Sequence, residues 1–465
     1  MVNILITDGI IVTLDDQRRI IQDGAIAISG NRILAVGKSE DFKKRYKADI
    51  IIEAKNKVIF PGLINVHTHL FQTLLKGLGD NLSLTNWFNR AIAPFAPELS
   101  SEDCYVAALL GCIEAVKSGV TCINDFMYVH PRPKLSDQVI RAFLDVGIRG
   151  ILTRGIVDTG EDIGLPEAII QDTNDALEDC KRLIQEYEGF ADGKIHVWIA
   201  PGSIWYATPE AFKKAKQIAD KHNVWLSTHC AESSSVVELS KRKHGMSELE
   251  FEEKVGFLGS NVQLVHCIWL TGRDVRIMKR RAVKVAHCPI ANMYLADGIA
   301  PVPKLIRAGI KVGLGTDGAA SNNNQDMIAV LKHTALLHKV HTLDPTAITA
   351  EKVLEMATLD GAKSIGLENE IGSIEPGKKA DLILLDFKKP NTVVMHNPVS
   401  TLVYCATQEN VDTVIIDGKI IMEGRKIKTV NEEDVLKASE EAGELLVQRA
   451  GMFLKFRDRP WRSSL

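Results

Sequence analysis

The segment "VQLVHCIWLTGRDVRIMKRRAVKVAHC" (262–288) reads as strand, helix, strand. Its two ends, "VQLVHC" (262–267) and "VKVAHC" (283–288), are short apolar runs rich in β-branched residues, and the stretch between them is amphipathic. The basic cluster "MKRR" (278–281) fits a solvated helix face, as does "KRKH" (241–244). The runs are too apolar for half-exposed strands, which points to a parallel sheet covered on both sides. The unit recurs along the chain. Further runs stand at "VIFPGLINVHTH" (58–69), "VTCINDF" (120–126), "RGILTRG" (149–155), "HVWIAPGS" (196–203), "VWLSTHC" (224–230) and "KVGLGTD" (311–317). Helical stretches such as "PEAFKKAKQIADKH" (209–222) and "VPKLIRAGI" (302–310) separate them. Eight strands, each followed by helix, is the arithmetic of an α/β (β/α)8 TIM barrel. The doubly wound alternative wants Gly-x-Gly-x-x-Gly after its first strand, and none follows here.

Around this middle the texture changes. The first sixty residues are short strands parted by Asp-Gly and Gly-Asn turns, and a similar texture returns in "ADLILLDF" and "VDTVIIDGKIIMEGR". The expected organisation is a β-unit over 1–59, the barrel over 60–370, a second β-unit over 371–430 and a helical tail over 431–465. A formal charge of −3 across 465 residues provides no basic field for nucleic acid. No run of about 18 uncharged apolar residues predicts a membrane span, and the N-terminus has no basic head followed by an apolar stretch. Eight cysteines without a Cys-x-x-Cys pair suggest free thiols in a reducing cytoplasm.

Barrels of this kind keep their chemistry at the C-terminal ends of the strands. Those ends carry His67 and His69, then His229, His266, His287 and Asp317. Alternation along a strand sends His67 and His69 the same way, so they can share one ion. If His229, His266 and His287 face the barrel mouth, alternation turns Cys230, Cys267 and Cys288 toward the helices. The thiols are then expected to be packing residues. Imidazoles with a carboxylate suit Zn²⁺ or Fe²⁺ with a position left open for water, which ionises near neutral pH. Glu232, three residues after His229, can carry the proton to a ring nitrogen or a departing amine. His266 is a further ligand or the group that polarises the water. The fourth strand end, "WIAPGS", offers no lysine to bridge two ions, so one metal is expected. His333, His338 and His341 lie in helical sequence and are expected to be solvated.

The motifs "PGLINVHTHL" (61–70), "HCAE" (229–232), "VHC" (265–267) and "GTDGAASNNN" (315–324), with "ATLDGAKSIGLENEIGSIEPGKKADLILLD" (357–386) after them, resemble the amidohydrolase superfamily. That resemblance implies a barrel with a small β-sandwich built from both chain ends. It implies metal ligation by His67, His69, His229 and Asp317, a proton shuttle at Glu232, and His266 at the metal or its water. Within the superfamily the chain looks like the mononuclear aminohydrolases, which act on small heteroaromatic substrates. "LLKGLGDNLSLTNWF" (74–88) and "LTRGIVD" (152–158) look like the nucleoside deaminases of methylthioadenosine, S-adenosylhomocysteine and 5′-deoxyadenosine. "HGMSELEF" (244–251), "EKVLEMATLDGA" (351–362) and the terminal "RPWRSSL" (459–465) look like the triazine deaminases and chlorohydrolases. By the same likeness Gln72, Trp87, Arg154, Ser321 and Asn322 are candidate substrate contacts. Two departures qualify it: Gly202 stands where nucleoside deaminases carry a histidine, and Gly318 offers no side chain where triazine enzymes place polar ones. The expected activity is hydrolytic removal of an exocyclic amino group from a triazine, pyrimidine or purine ring. Triazine dechlorination is the alternative, and a homo-oligomer is implied.

Overall fold

The computed structural model describes residues 2–452. Eight parallel strands alternate with helices in the order of a (β/α)8 barrel: β1 (Leu63–Thr68), β2 (Val120–Met127), β3 (Arg149–Ile156), β4 (Ile195–Pro201), β5 (Leu226–Cys230), β6 (Val262–His266), β7 (Lys284–His287) and β8 (Val312–Leu314). The ring closes where the Asp317 N–H donates to the His67 carbonyl at 3.0 Å. Thr68 Oγ1 donates to the Asp317 carbonyl at 2.8 Å across the same seam. Ile64, Val66, Cys122, Ile151, Trp198, Val265 and Ala286, from six different strands, form one cluster inside the ring.

The opening segment behaves as its pattern predicts. Its central helix, Gly272–Arg281, begins at a capping box in which Thr271 and Asp274 satisfy each other's backbone N–H groups. Lys279, Arg280 and Arg281 fill its last turn, where positive charge complements the helix dipole. Arg280 and Arg281 share Glu253.

One expected strand divides. Within "VIFPGLINVHTH", Lys57–Pro61 pairs antiparallel with Leu382–Asp386 outside the barrel, and only Leu63–Thr68 enters the ring. Gly62 is the joint: a Cβ there would overlap the side chain of Thr121. Strands from both chain ends form one mixed sheet of nine, which lies around an isoleucine-rich core including Ile4, Ile26, Ile59, Leu382 and Ile415. A bridge from Arg32 to Lys379 brings the N-terminal strands against the C-terminal ones. Arg149 fastens this sheet to the barrel. It is buried, and its guanidinium pairs with Asp381 at 2.9 and 3.1 Å and with Asp417 at 3.4 Å.

The tail helix Glu432–Arg449 packs along Ser101–Lys117 of the barrel, with ion pairs Lys117–Glu432 and Arg449–Asp103. The rest of the expected tail, including "RPWRSSL", lies outside the described residues. No helix among those described is long and apolar enough to cross a membrane. All eight cysteines are free, seven of them buried.

Candidate active site

At the C-terminal mouth of the barrel His67, His69 and His229 each bring a ring nitrogen to one point, all within 4.8 Å of one another. No other cluster among the described residues has this form. Asp317 Oδ1 faces the same point, 3.4 Å from His69 Nε2 and 3.6 Å from His67 Nε2. The outer nitrogens are anchored. His69 Nδ1 donates to the Phe126 carbonyl at 2.6 Å and His229 Nδ1 to the Gly202 carbonyl at 3.0 Å, which leaves each Nε2 lone pair directed inward. Neither nitrogen of His67 has a hydrogen-bond partner although the ring is fully buried. A buried polar atom without a partner is costly, and a divalent cation would satisfy it. Burial holds His67 at about 4 and His69 at about 3, and pushes His229 well below the usual imidazole range. All three are therefore neutral, the form a metal requires. The residues present fit the ion.

Two carboxyls here are driven apart. Burial would raise Asp317, but the His67, His69 and His266 rings beside it hold it well below the usual carboxylate range. Burial, reinforced by the negative charges of Asp317 and Glu248, raises Glu232 far above its ordinary value. One group is kept ionised and the other protonated, an arrangement suited to a base and an acid at neutral pH. Glu232 Oε1 lies 3.3 Å from His266 Nε2. His266 Nδ1 donates in turn to Asn292 Oδ1 at 2.9 Å.

His266 reaches the mouth by breaking alternation. Val265 belongs to the barrel interior, so a regular strand would point His266 at the helices. The backbone instead turns left-handed at His266 (φ 69°) and Cys267 (φ 54°), with the Cys267 N–H returning to the Val265 carbonyl. Such turns are strained in residues with a Cβ and gather at functional sites. Asp317 (φ 65°) is another.

β7 corrects one expectation. Ala286 and Cys288 face the interior cluster, and His287 points outward to His338 of the helix Met327–Thr342, Nε2 to Nε2 at 3.2 Å. His287 is thus no mouth residue and Cys288 does not face the helices; its thiol packs beside Gly315. His338 is buried, whereas His333 and His341 are exposed as expected. Cys230 and Cys267 do lie behind the strands, among buried side chains that include Glu252.

A cleft opens over the metal-binding point, walled by Leu84, Trp87, Phe88, Tyr128, Trp205, Tyr206, Leu295 and Ser321. Two of the candidate contacts, Trp87 and Ser321, line it. Trp87 Nε1 donates to the Ala320 carbonyl at 2.8 Å, and Ser321 Oγ to the Gly318 carbonyl at 3.0 Å. Three others stand behind the wall. Gln72 fills the space left by Gly318, where a Cβ would overlap its amide, and its Nε2 reaches the Tyr128 hydroxyl at 3.3 Å. Asn322 Nδ2 donates to the Thr316 carbonyl at 2.8 Å. Arg154 is buried in an ion pair with Asp179 at 3.1 Å and a bond to Gln171 at 2.9 Å. The aromatic wall of Tyr128, Trp205 and Tyr206 was not singled out from sequence. "IWY" (204–206), directly after the fourth strand, was the available signal. Asn292 left none beyond its place in the short helix Pro289–Tyr294 after β7.

Behind the site, Glu248 accepts the Ala231 N–H at 2.7 Å, and Glu252 has no hydrogen-bond partner at either carboxyl oxygen. Burial lifts Glu248 to about 8 and Glu252 far upward. A carboxyl raised by folding adds stability that is whole below its unfolded value, near 4.5, and is lost as pH climbs through its folded value. The melting temperature is therefore expected to fall between pH 5 and pH 8, and less steeply in Glu248→Gln/Glu252→Gln. Equal slopes in calorimetry of the two proteins would refute this.

An ion-binding point of neutral histidines at the mouth of a barrel, flanked by an ionised and a protonated carboxyl, defines a metal-dependent hydrolase. The chain belongs to the amidohydrolase family, whose model matches residues 58–421. It is 40% identical over 444 residues to a 5′-deoxyadenosine deaminase of Methanobrevibacter smithii, covering 95% of this chain and 98% of that one. A zinc-bound adenosine deaminase from Xanthomonas campestris superimposes with a TM-score of 0.90 at 28% identity, over 96% of this chain and 99% of the other. A zinc complex of an atrazine chlorohydrolase from Arthrobacter aurescens does so at 0.90 and 25%, over 95% and 100%.

Proposed function

We propose that the protein hydrolytically removes an exocyclic amino group from an aromatic N-heterocycle, with the adenine ring of a 5′-modified adenosine first among its substrates. The observation that carries this reading is the pairing of a protonated Glu232 with an ionised Asp317 on the floor of an aromatic cleft. His67, His69, His229 and Asp317 would hold one divalent ion, Zn²⁺ before Fe²⁺, because imidazole and carboxylate ligands suit zinc and the adenosine deaminase and the atrazine chlorohydrolase of the same fold were solved with zinc. The ion supplies Lewis acidity.

The chain's own residues do the rest. Trp87, Phe88, Tyr128, Trp205 and Tyr206 present flat faces between which a heteroaromatic ring can stack. Asp317 accepts a proton from the water that adds to the amine-bearing carbon. Glu232 delivers its proton to the adjacent ring nitrogen, while His266, held by Asn292, orients that carboxyl. Asp317 then passes the proton it accepted to the exocyclic nitrogen, the carbon–nitrogen bond breaks as ammonia leaves, and the carbonyl forms as the hydroxyl proton returns to Glu232. Chloride would need no proton to depart, so a proton-bearing Glu232 favours an amine.

One contact favours a second reading. The Tyr206 ring lies over Gly202, where a Cβ would overlap it, and so fills the place from which a histidine would touch a nucleoside. A smaller triazine ring fits that change. Ammonia release from 5′-deoxyadenosine, methylthioadenosine, adenosine, melamine and ammeline, with chloride release from atrazine, separates the two. Deamination of the adenosines alone supports the first reading; activity confined to triazines replaces it with the second.

A further inference from the structure

Glu232 stands on a strained stretch of backbone. Ala231, between Cys230 at the end of β5 and Glu232, turns left-handed (φ 51°) although it carries a Cβ. Such a conformation persists only where the surroundings over-determine it. Here the surroundings hold it from both sides. The Ala231 carbonyl accepts the N–H groups of Ile268 and Trp269, each at 3.0 Å, and the Cys230 carbonyl accepts that of Cys267 at 3.0 Å. These bonds join the exit of β5 to the left-handed exit of β6, and they carry Glu232 to within 3.3 Å of His266. On the far side of Glu232, Ser233 caps the helix Ser234–His244.

The Ala231 N–H completes the turn, and its acceptor is a side chain. Glu248 Oε2 takes it at 2.7 Å. Glu248 is buried, yet it belongs neither to the ion-binding point nor to the walls of the cleft. It opens the helix Glu248–Lys254, whose start is fixed by a capping box of Ser247 and Glu250. Taking a carboxyl out of water is unfavourable unless its bonds compensate. This helix buries two: Glu252, one turn further on, makes no hydrogen bond, and Glu248 makes its bond to the turn that bears the acid.

We propose that Glu248 is a positioning residue for the proton transfer: by holding the Ala231 N–H it fixes the left-handed turn that aims Glu232 at His266. It acts through Glu232 and touches neither the ring nor the ion. This rests on the reading of Glu232 as the acid of a heteroaromatic deaminase. It also gives the segment "HGMSELEF" (244–251) a part in the reaction, carried by an acceptor placed behind the strand.

The test measures ammonia release from 5′-deoxyadenosine and from melamine by the metal-loaded full chain, with metal content read on the same samples. Glu248→Met keeps the length of the side chain and removes the acceptor. It is expected to lower kcat by about 10- to 100-fold, the scale of a displaced catalytic group, with KM and metal content near the wild-type values. Glu248→Gln, which restores an acceptor oxygen, is expected to recover most of that loss. Glu252→Gln, on the same helix and equally buried but without the bond, is expected to stay within about twofold of the wild type, as a surrounding packing change would. In a Glu232→Gln background, adding Glu248→Met is expected to cost less than about twofold, because residues that act as a unit are not additive. A Glu248→Met protein with wild-type kcat, a loss of metal in it, an equal loss in Glu248→Gln, or a full further loss on top of Glu232→Gln would each overturn the positioning role while leaving the deaminase standing. No ammonia from either ring in the wild type would sink the deaminase reading and the positioning role with it.

Discussion

Glu232→Gln is expected to lower kcat for ammonia release by roughly 10²–10⁴-fold, the usual contribution of a positioned general acid. The substitution keeps the side chain's size and its approach to His266, 3.3 Å away, while removing the transferable proton. It leaves His67, His69 and His229 intact, so metal content measured on the same sample is expected to stay at the wild-type level. A variant that keeps its metal and more than about a tenth of its activity would deny Glu232 the proton transfer. Because burial keeps Glu232 protonated, the loss is expected to appear in kcat and in kcat/KM together, as for an interaction made in the transition state.

His69→Ala is expected to abolish both activity and tight metal binding. Changes to groups that merely orient a ligand cost about 10–100-fold in metal affinity, so loss of a ligand should exceed about 100-fold. His69 is the ring with the most to lose: its Nε2 faces His229 at 3.3 Å and Asp317 at 3.4 Å, and its Nδ1 is fixed by the Phe126 carbonyl. Elemental analysis after dialysis reads the first effect, and ammonia release in excess zinc the second. Chelation of the wild-type protein is expected to lower its melting temperature, since an ion present at about a thousand times its Kd contributes about 4 kcal/mol to the folded state. Wild-type metal content in the variant would remove His69 from the ligand set.

These residues were legible because strand ends in a barrel have few reasons to be polar. His67, His69, His229, His266 and Asp317 each interrupt an apolar run at the place where the strand ends, and the structure gathers them. Period-two alternation then misread β7, because its register is set by Ala286 and Cys288 packing inside the ring, which sends His287 outward to His338. At β6 alternation would have excluded His266 altogether; the left-handed turn that returns it to the mouth has no glycine to announce it. Gly62 likewise gave no sign that an unbroken apolar run serves two sheets. The cleft walls were hidden for another reason. Leu84 and Phe88 come from short helical turns, and Trp205 and Tyr206 from a loop, whose apolar residues look like ordinary core until the fold shows which of them face an opening.

The seam between β1 and β8 also bears on how the molecule is made. Thr68 and Asp317, which join across it, lie 249 residues apart in the chain, and Lys57–Pro61 must wait still longer for Leu382–Asp386. During synthesis the N-terminal strands emerge first, with one hydrogen-bonding edge unpaired until the last third of the protein arrives, a period of tens of seconds at ordinary elongation rates of about 5–20 residues per second. His67 and His69 are exposed on the ribosome for that interval, without the aspartate that completes their set. The catalytic centre is thus a late product of folding, and the nascent chain's vulnerable edge is the one that later forms it.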